Sequence, residues 1–256
     1  VVAYAAQRSL VFFPGPPPRA TPKDARLDYD EVSLETSDGE RLHAWYIRPE
    51  GTRDAPPRGA VLVCHGNAGT IGDRLHLARA FADMRLAVFL FDYRGYGKSS
   101  GTPSERGLYL DADSAYRELT SARGFAPERI VAYGESLGGA VAIELALRER
   151  VAALIVESSF TSLADVGAKH YAWLPVRWIT RYRFDSIGKI ARVAPPKLFA
   201  HSRADEIIPF EQGLALFEEA REPKEFLETS GLHGVGGFST SAHDAALVRA
   251  FIDRVL

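Results

Sequence analysis

The sequence has one cysteine, Cys64, among its 256 residues, so no disulfide can form within the fold. This fits a reducing compartment. It also lacks any apolar run of about 18 residues, the length a helix needs to cross a bilayer. Charge of either sign is not in excess: the net value is −2, which gives no electrostatic reason to expect a nucleic-acid partner. Internal repeats and linker-like stretches are missing as well. The chain therefore reads as a single domain over residues 1–256.

What is present is ordinary for a soluble globular protein, with 46% hydrophobic and 25% charged residues. The chain opens on Val1 rather than Met, so we expect that an upstream segment has been removed. Val1 to Phe13 carries apolar residues at helical spacing. Pro14-Gly15-Pro16-Pro17-Pro18 then forbids helix and ladder alike, and residues 1–28 are expected to form an extended lead-in. Tyr29 to Glu35 alternates apolar and polar, Ser37-Asp38-Gly39 is a turn, and Leu42 to Ile47 is a second strand. Together they predict an antiparallel hairpin.

From Ala60 onward short apolar strands alternate with helices. This rhythm predicts an α/β fold with a mostly parallel, doubly wound sheet covered on both faces. Strands are expected at Ala60 to Cys64, Leu86 to Phe91, Arg129 to Tyr133, Val151 to Val156, Lys197 to His201 and Glu225 to Glu228. Helices are expected at Ile71 to Met84, Ser104 to Ala122, Ala140 to Leu147, Phe210 to Arg221 and Asp244 to Leu256. Thr161 to Ala194 separates two strands and carries Tyr171, Trp173, Pro175 and Trp178. It is too short for a second domain and aromatic enough for a small cap over a pocket.

The chemistry centres on Gly134-Glu135-Ser136-Leu137-Gly138, a Gly-x-Ser-x-Gly pattern between a strand and an almost wholly apolar helix. So sharp a strand-to-helix turn leaves no room for a β-carbon at Gly134 or Gly138, and it lifts the Ser136 hydroxyl to the top of the sheet. A serine is a weak nucleophile unless a base takes its proton and a carboxylate fixes the tautomer of that base. In doubly wound sheets such groups sit in loops at the carboxyl ends of strands, and the chain order expected here is Ser, acid, His. Asp205, just past the strand Lys197 to His201, is the candidate acid, with Glu157 the runner-up. Asp165 and Asp185 belong to the cap.

Of the seven histidines, His43 and His76 lie away from strand ends, His65 and His201 precede Asp205, and His170 is in the cap. His233 and His243 remain. The short turn Ser230-Gly231-Leu232 returns His233 towards the sheet top, whereas His243 opens the last helix. Acyl transfer also needs oxyanion donors. The Leu137 N–H is one, and the loop His65-Gly66-Asn67-Ala68-Gly69 offers the other at Asn67, with Ala68 the alternative.

Several motifs together resemble one family. They are His65-Gly66-Asn67-Ala68-Gly69, the run Phe91 to Gly101, Pro103-Ser104-Glu105, Ser136-Leu137-Gly138-Gly139 and Phe160-Thr161-Ser162-Leu163. The combination is similar to the bud-emergence-type branch of the α/β-hydrolase superfamily, serine hydrolases that include protein depalmitoylases and lysophospholipid lipases. The resemblance implies Ser136 as nucleophile, Asp205 as acid and His233 as base. In that family a segment like Gln7-Arg8-Ser9-Leu10-Val11-Phe12 commonly follows a membrane helix, which implies membrane association through an upstream anchor. One departure stands out: the family often has Asn-Asp after this histidine, whereas here Gly234-Val235-Gly236-Gly237 follows.

The expected activity is serine hydrolysis of a small-molecule or lipid acyl ester or thioester through an acyl-enzyme, with no metal or organic cofactor. Tyr171, Trp173 and Trp178 are expected to line the acyl pocket. A peptidase, and a binding protein that kept the fold without turnover, are the alternatives. The compartment is not predicted.

Overall fold

The computed structural model describes residues 2–50, 56–170 and 180–256. Helix α1 (Val2–Val11) and the two-residue strand β1 (Phe13–Pro14) precede the hairpin β2 (Asp28–Glu35) and β3 (Arg41–Arg48). There follow β4 (Ala60–Cys64), β5 (Ala68–Gly69), α2 (Leu75–Asp83), β6 (Ala87–Phe91), α3 (Glu105–Arg117), β7 (Ile130–Glu135) and α4 (Leu137–Arg148). The chain continues through β8 (Ala153–Glu157), α5 (Leu163–His170), α6 (Ile187–Ile190), β9 (Lys197–Ser202), α7 (Phe210–Glu219), β10 (Lys224–Thr229) and α8 (Ala242–Val255).

Eight strands form one sheet in the order β10-β9-β8-β7-β4-β6-β3-β2. The pairings from β10 through to β6 are parallel, and the hairpin adds two antiparallel strands at the far edge. The centre of the sheet shows why its strands are uniformly apolar. Val61 and Val63 of β4 enter one core with Leu77 and Phe81 of α2 and Val248, Phe251 and Ile252 of α8. Ala60, Leu62 and Cys64 enter the other with Leu108 of α3, Val141 of α4 and Leu216 of α7. Side chains alternate across a strand, so burial on both faces removes the polar half of the usual pattern. This is an α/β-hydrolase fold, and it carries the strand order at whose carboxyl ends ligand loops gather.

Three expectations need correction. The lead-in is not extended throughout, because residues 2–11 are helical and Pro22–Ala25 form a 3₁₀ turn. Nor do the prolines abolish every ladder. Phe13 and Pro14 pair in parallel with Ala68 and Gly69, and the Gly15 N–H, at the first position past Pro14, donates to Gly69 O at 3.1 Å. Proline lacks only the donor, and its carbonyl remains available at an edge. In addition, the segment Thr161 to Ala194 is not all cap: Tyr182, Phe184, Ile190 and Val193 are buried in the main core. Among the described residues no helix is long and apolar enough to cross a membrane.

Candidate active site

Strand β7 ends at Glu135, and Ser136 turns the chain into α4 with φ 55° and ψ −120°. A residue bearing a side chain normally avoids this region. The neighbouring glycines make it attainable. A β-carbon on Gly134 would overlap the Gly138 carbonyl, and one on Gly138 would overlap the Cys64 carbonyl. The strained residue is held from both sides. Its N–H donates to Glu157 O at 2.9 Å, and its own carbonyl accepts the Ser159 hydroxyl at 2.8 Å.

Ninety-seven positions on, the His233 ring lies against this serine, with Nε2 3.0 Å from Ser136 Oγ. Nδ1 is 2.8 Å from Asp205 Oδ2. A carboxylate can only accept, so Nδ1 carries the proton and the Nε2 lone pair faces the hydroxyl. Asp205 is itself fixed by its other oxygen. Oδ1 accepts the N–H groups of Ile207 at 3.0 Å and Ile208 at 2.7 Å. Burial opposes its charge, yet hydrogen bonds from His201 and His233, with the Ile208 N–H, hold its pKa well below the usual carboxylate range. For His233 burial favours the neutral ring, but the Asp205 hydrogen bond and the charges of Asp205, Glu135 and Glu206 outweigh it, and the pKa is raised. The His233 N–H donates to Glu206 Oε2 at 2.9 Å.

The loop after β4 forms the opposite wall. Asn67 and Leu137 both border a cavity of about 640 Å³ that also contains Ser136 and His233. The Tyr96 hydroxyl, 2.9 Å from Asn67 O, holds this loop from behind. Arg74 Nη2 donates to Ala68 O at 3.1 Å while its Nε lies 3.0 Å from Glu135 Oε2, which ties the loop to the residue before the serine. His65 is excluded as a base. Its Nδ1 donates to Gly66 O at 2.7 Å, and burial pushes its pKa down to about 4. Asp92 Oδ1 accepts the Ile71 N–H at 2.9 Å, which ties the loop after β6 to the turn before α2. The remainder of the cavity wall is largely apolar, including Val11, Phe13, Phe160, Leu163, Val166 and Ile208.

Ser136, Asp205, His233, Asn67 and Leu137 thus converge. His243 does not: it is exposed on the first turn of α8, where Ser241 caps the helix by accepting the Asp244 N–H. Glu157, the other acid considered, is buried, and its carboxyl bonds to groups other than His233. It accepts the Phe238 N–H at 2.7 Å and the Tyr133 hydroxyl, and burial pushes its pKa up to about 7. Tyr171, Trp173 and Trp178 lie outside the described residues. The sequence reading missed the Arg74–Glu135 pair, the Glu206 contact and the wall supplied by Val11 and Phe13. Only the last had a signal, the apolar spacing before Pro14.

Comparison with known proteins bears on the family and the fold. Residues 55–187 match the family model described as "Serine aminopeptidase, S33". An uncharacterised protein of Mycobacterium tuberculosis is 42% identical over 229 residues, covering 90% of this chain and 80% of that protein. Protein bem46 of Schizosaccharomyces pombe is 35% identical over 231 residues, covering 84% of this chain and 75% of that one. Among solved structures, an esterase of Pyrococcus furiosus superposes with a TM-score of 0.76 over 94% of this chain and 99% of that chain. At 21% identity, that likeness speaks for the fold.

Proposed function

We propose, from the premise that this chain belongs to the Bem46-like α/β-hydrolases, that it cleaves carboxylic esters or thioesters through an acyl-enzyme on Ser136. The observation that carries the reading is the single imidazole of His233, set between Ser136 Oγ at 3.0 Å and Asp205 Oδ2 at 2.8 Å. As Oγ attacks the acyl carbon, its proton passes to Nε2. Asp205 keeps the ring in the required tautomer and stabilises the imidazolium. The carbonyl oxygen, now an oxyanion, is received by the N–H groups of Leu137 and Asn67, donors worth about 3 kcal/mol each in such sites. Collapse of the tetrahedral intermediate breaks the bond to the alcohol or thiol, which leaves with the proton from Nε2. Water then gives its proton to the freed Nε2 and attacks the acyl carbon; the bond to Ser136 Oγ breaks, Oγ takes the proton back from Nε2, and the carboxylic acid departs.

The wall of Val11, Phe13, Phe160, Leu163, Val166 and Ile208 favours an apolar acyl group, in a cavity of about 640 Å³ that matches small-molecule sites. The peptidase reading is weaker. An aminopeptidase needs a carboxylate to hold the substrate ammonium, and of those on the cavity wall Glu135 pairs with Arg74 at 3.0 Å while Asp73 accepts the Thr70 N–H at 2.8 Å.

Hydrolysis of a series of p-nitrophenyl esters and acyl thioesters of increasing chain length, alongside Ser136→Ala, tests the reading. Turnover that rises with acyl length to a limit and vanishes in the variant is expected. Near-normal turnover by Ser136→Ala would overturn it.

A further inference from the structure

The buried carboxyl of Glu157 has no part in the proton transfers above, yet it touches both halves of the site. Its backbone carbonyl accepts the Ser136 N–H at 2.9 Å. One carboxyl oxygen accepts the hydroxyl of Tyr133, three residues before the nucleophile on β7. The other accepts the Phe238 N–H at 2.7 Å, five residues beyond His233. The approach depends on Gly237: at φ 106° it sits so close that a β-carbon would lie 2.6 Å from Glu157 Oε1.

The loop that carries His233 has few other means of holding its shape. Between Ser230 and Phe238 four of seven residues are glycine, without side chains to pack. Gly236 and Gly237 bond back within the loop to Leu232 O at 2.8 Å and Ser230 O at 3.2 Å, which fixes its curvature but not its place over the sheet. Placement comes from the Asp205 contact at the His233 ring, the Glu206 contact at the His233 N–H and the anchor at Phe238, whose ring is fully buried against Phe81 and Tyr133. A buried carboxyl costs several kcal/mol in desolvation, offset here by the Phe238 N–H and the Tyr133 hydroxyl that it accepts.

We propose that Glu157 is a positioning residue that sets the His233 loop against the Ser136 strand by bridging Phe238 and Tyr133. The proposal rests on the assignment of Ser136 and His233, but its test is separable, because Ser136→Ala judges that assignment alone. In Glu157→Gln the amide oxygen still accepts the Phe238 N–H. In Glu157→Leu nothing does. Since a displacement of about 1 Å in a catalytic group costs on the order of a hundredfold in rate, Glu157→Leu should lose about ten- to a hundredfold in kcat for p-nitrophenyl butyrate. KM should stay within about twofold, because the apolar wall of Val11, Phe13, Phe160, Leu163, Val166 and Ile208 is untouched. Glu157→Gln should recover most of the loss, and both variants should melt cooperatively by circular dichroism. A folded Glu157→Leu with kcat near wild type, or equal impairment by Leu and Gln, overturns the proposal. Should Glu157→Leu fail to fold, Glu157→Gln combined with Gly237→Ala decides it: the added β-carbon must lower kcat at constant KM, and undiminished kcat refutes the anchor.

Discussion

Replacing Asp205 by Asn is nearly isosteric, and the surrounding donors dictate which way the amide turns. Oδ1 of the native carboxylate receives two backbone N–H groups, from Ile207 and Ile208. An amide nitrogen there would set donor against donor twice over, so the oxygen must take that place and the NH₂ must face His233. Facing a donor, Nδ1 becomes an acceptor and the ring proton moves to Nε2, where it points at Ser136 Oγ in place of the lone pair. The nucleophile then has no base. Loss of the correct tautomer in such a triad costs on the order of 10⁴ in kcat, or about 5.5 kcal/mol of transition-state stabilisation. The backbone contacts of Oδ1 survive, so the fold should be retained. Steady-state hydrolysis of p-nitrophenyl butyrate would show the loss, and circular dichroism would show the fold. An Asn variant within tenfold of the wild type would refute both the role of Asp205 and the argument from its hydrogen bonds.

The pH profile of kcat/KM should rise through a midpoint above 6.5, because the base must be neutral and the pKa of His233 is raised above its ordinary value. A midpoint below 6.5, with chemistry limiting the rate, would contradict this. His233→Ala should lose several powers of ten in kcat/KM, whereas His243→Ala, an exposed residue on the first turn of α8, should stay within about twofold. Gly138→Ala drives a β-carbon into the Cys64 carbonyl, and thermal unfolding should show a loss of at least ~3 kcal/mol or no folded protein. An unchanged melting temperature would mean that the elbow is looser than described.

The legibility of this sequence follows burial. Ala60 to Cys64 was bounded correctly because every residue there is enclosed on both faces, which leaves an unbroken apolar run between a glycine and a histidine. Ser136 was legible because steric demands on Gly134 and Gly138 write themselves into the local sequence. Chain order and strand ends narrowed the acid to Asp205 or Glu157 and the base to His233 or His243, and the family resemblance implied Asp205 and His233. The functions of Glu157 and Glu206 depend on which backbone N–H a distant loop brings to them, and no local pattern encodes that. The same reason hid Tyr182 and Phe184 within a segment read as cap, since nothing local separates an aromatic that faces a pocket from one that faces the core. The pairing at Phe13–Pro14 was masked by the proline run around it.

That last pairing changes where the unit to be handled begins. The sheet starts at Asp28, and a protein engineer trimming, fusing or permuting the chain would naturally cut just ahead of it. Such a cut would remove Val11 and Phe13 from the cavity wall and strip Ala68–Gly69 of their strand partner. It would also free Gly97, whose N–H donates to Gly15 O at 3.2 Å. The shortened protein would retain the eight-stranded sheet and its three central side chains, but it would lose Phe12, buried against Tyr182 and Phe184, and Leu27, buried in the core on the other face of the sheet. The loss would appear in stability, through the emptied core positions, as well as in the cavity beside Ser136. A tag or partner domain joined at this end is therefore attached, in effect, to the substrate cavity.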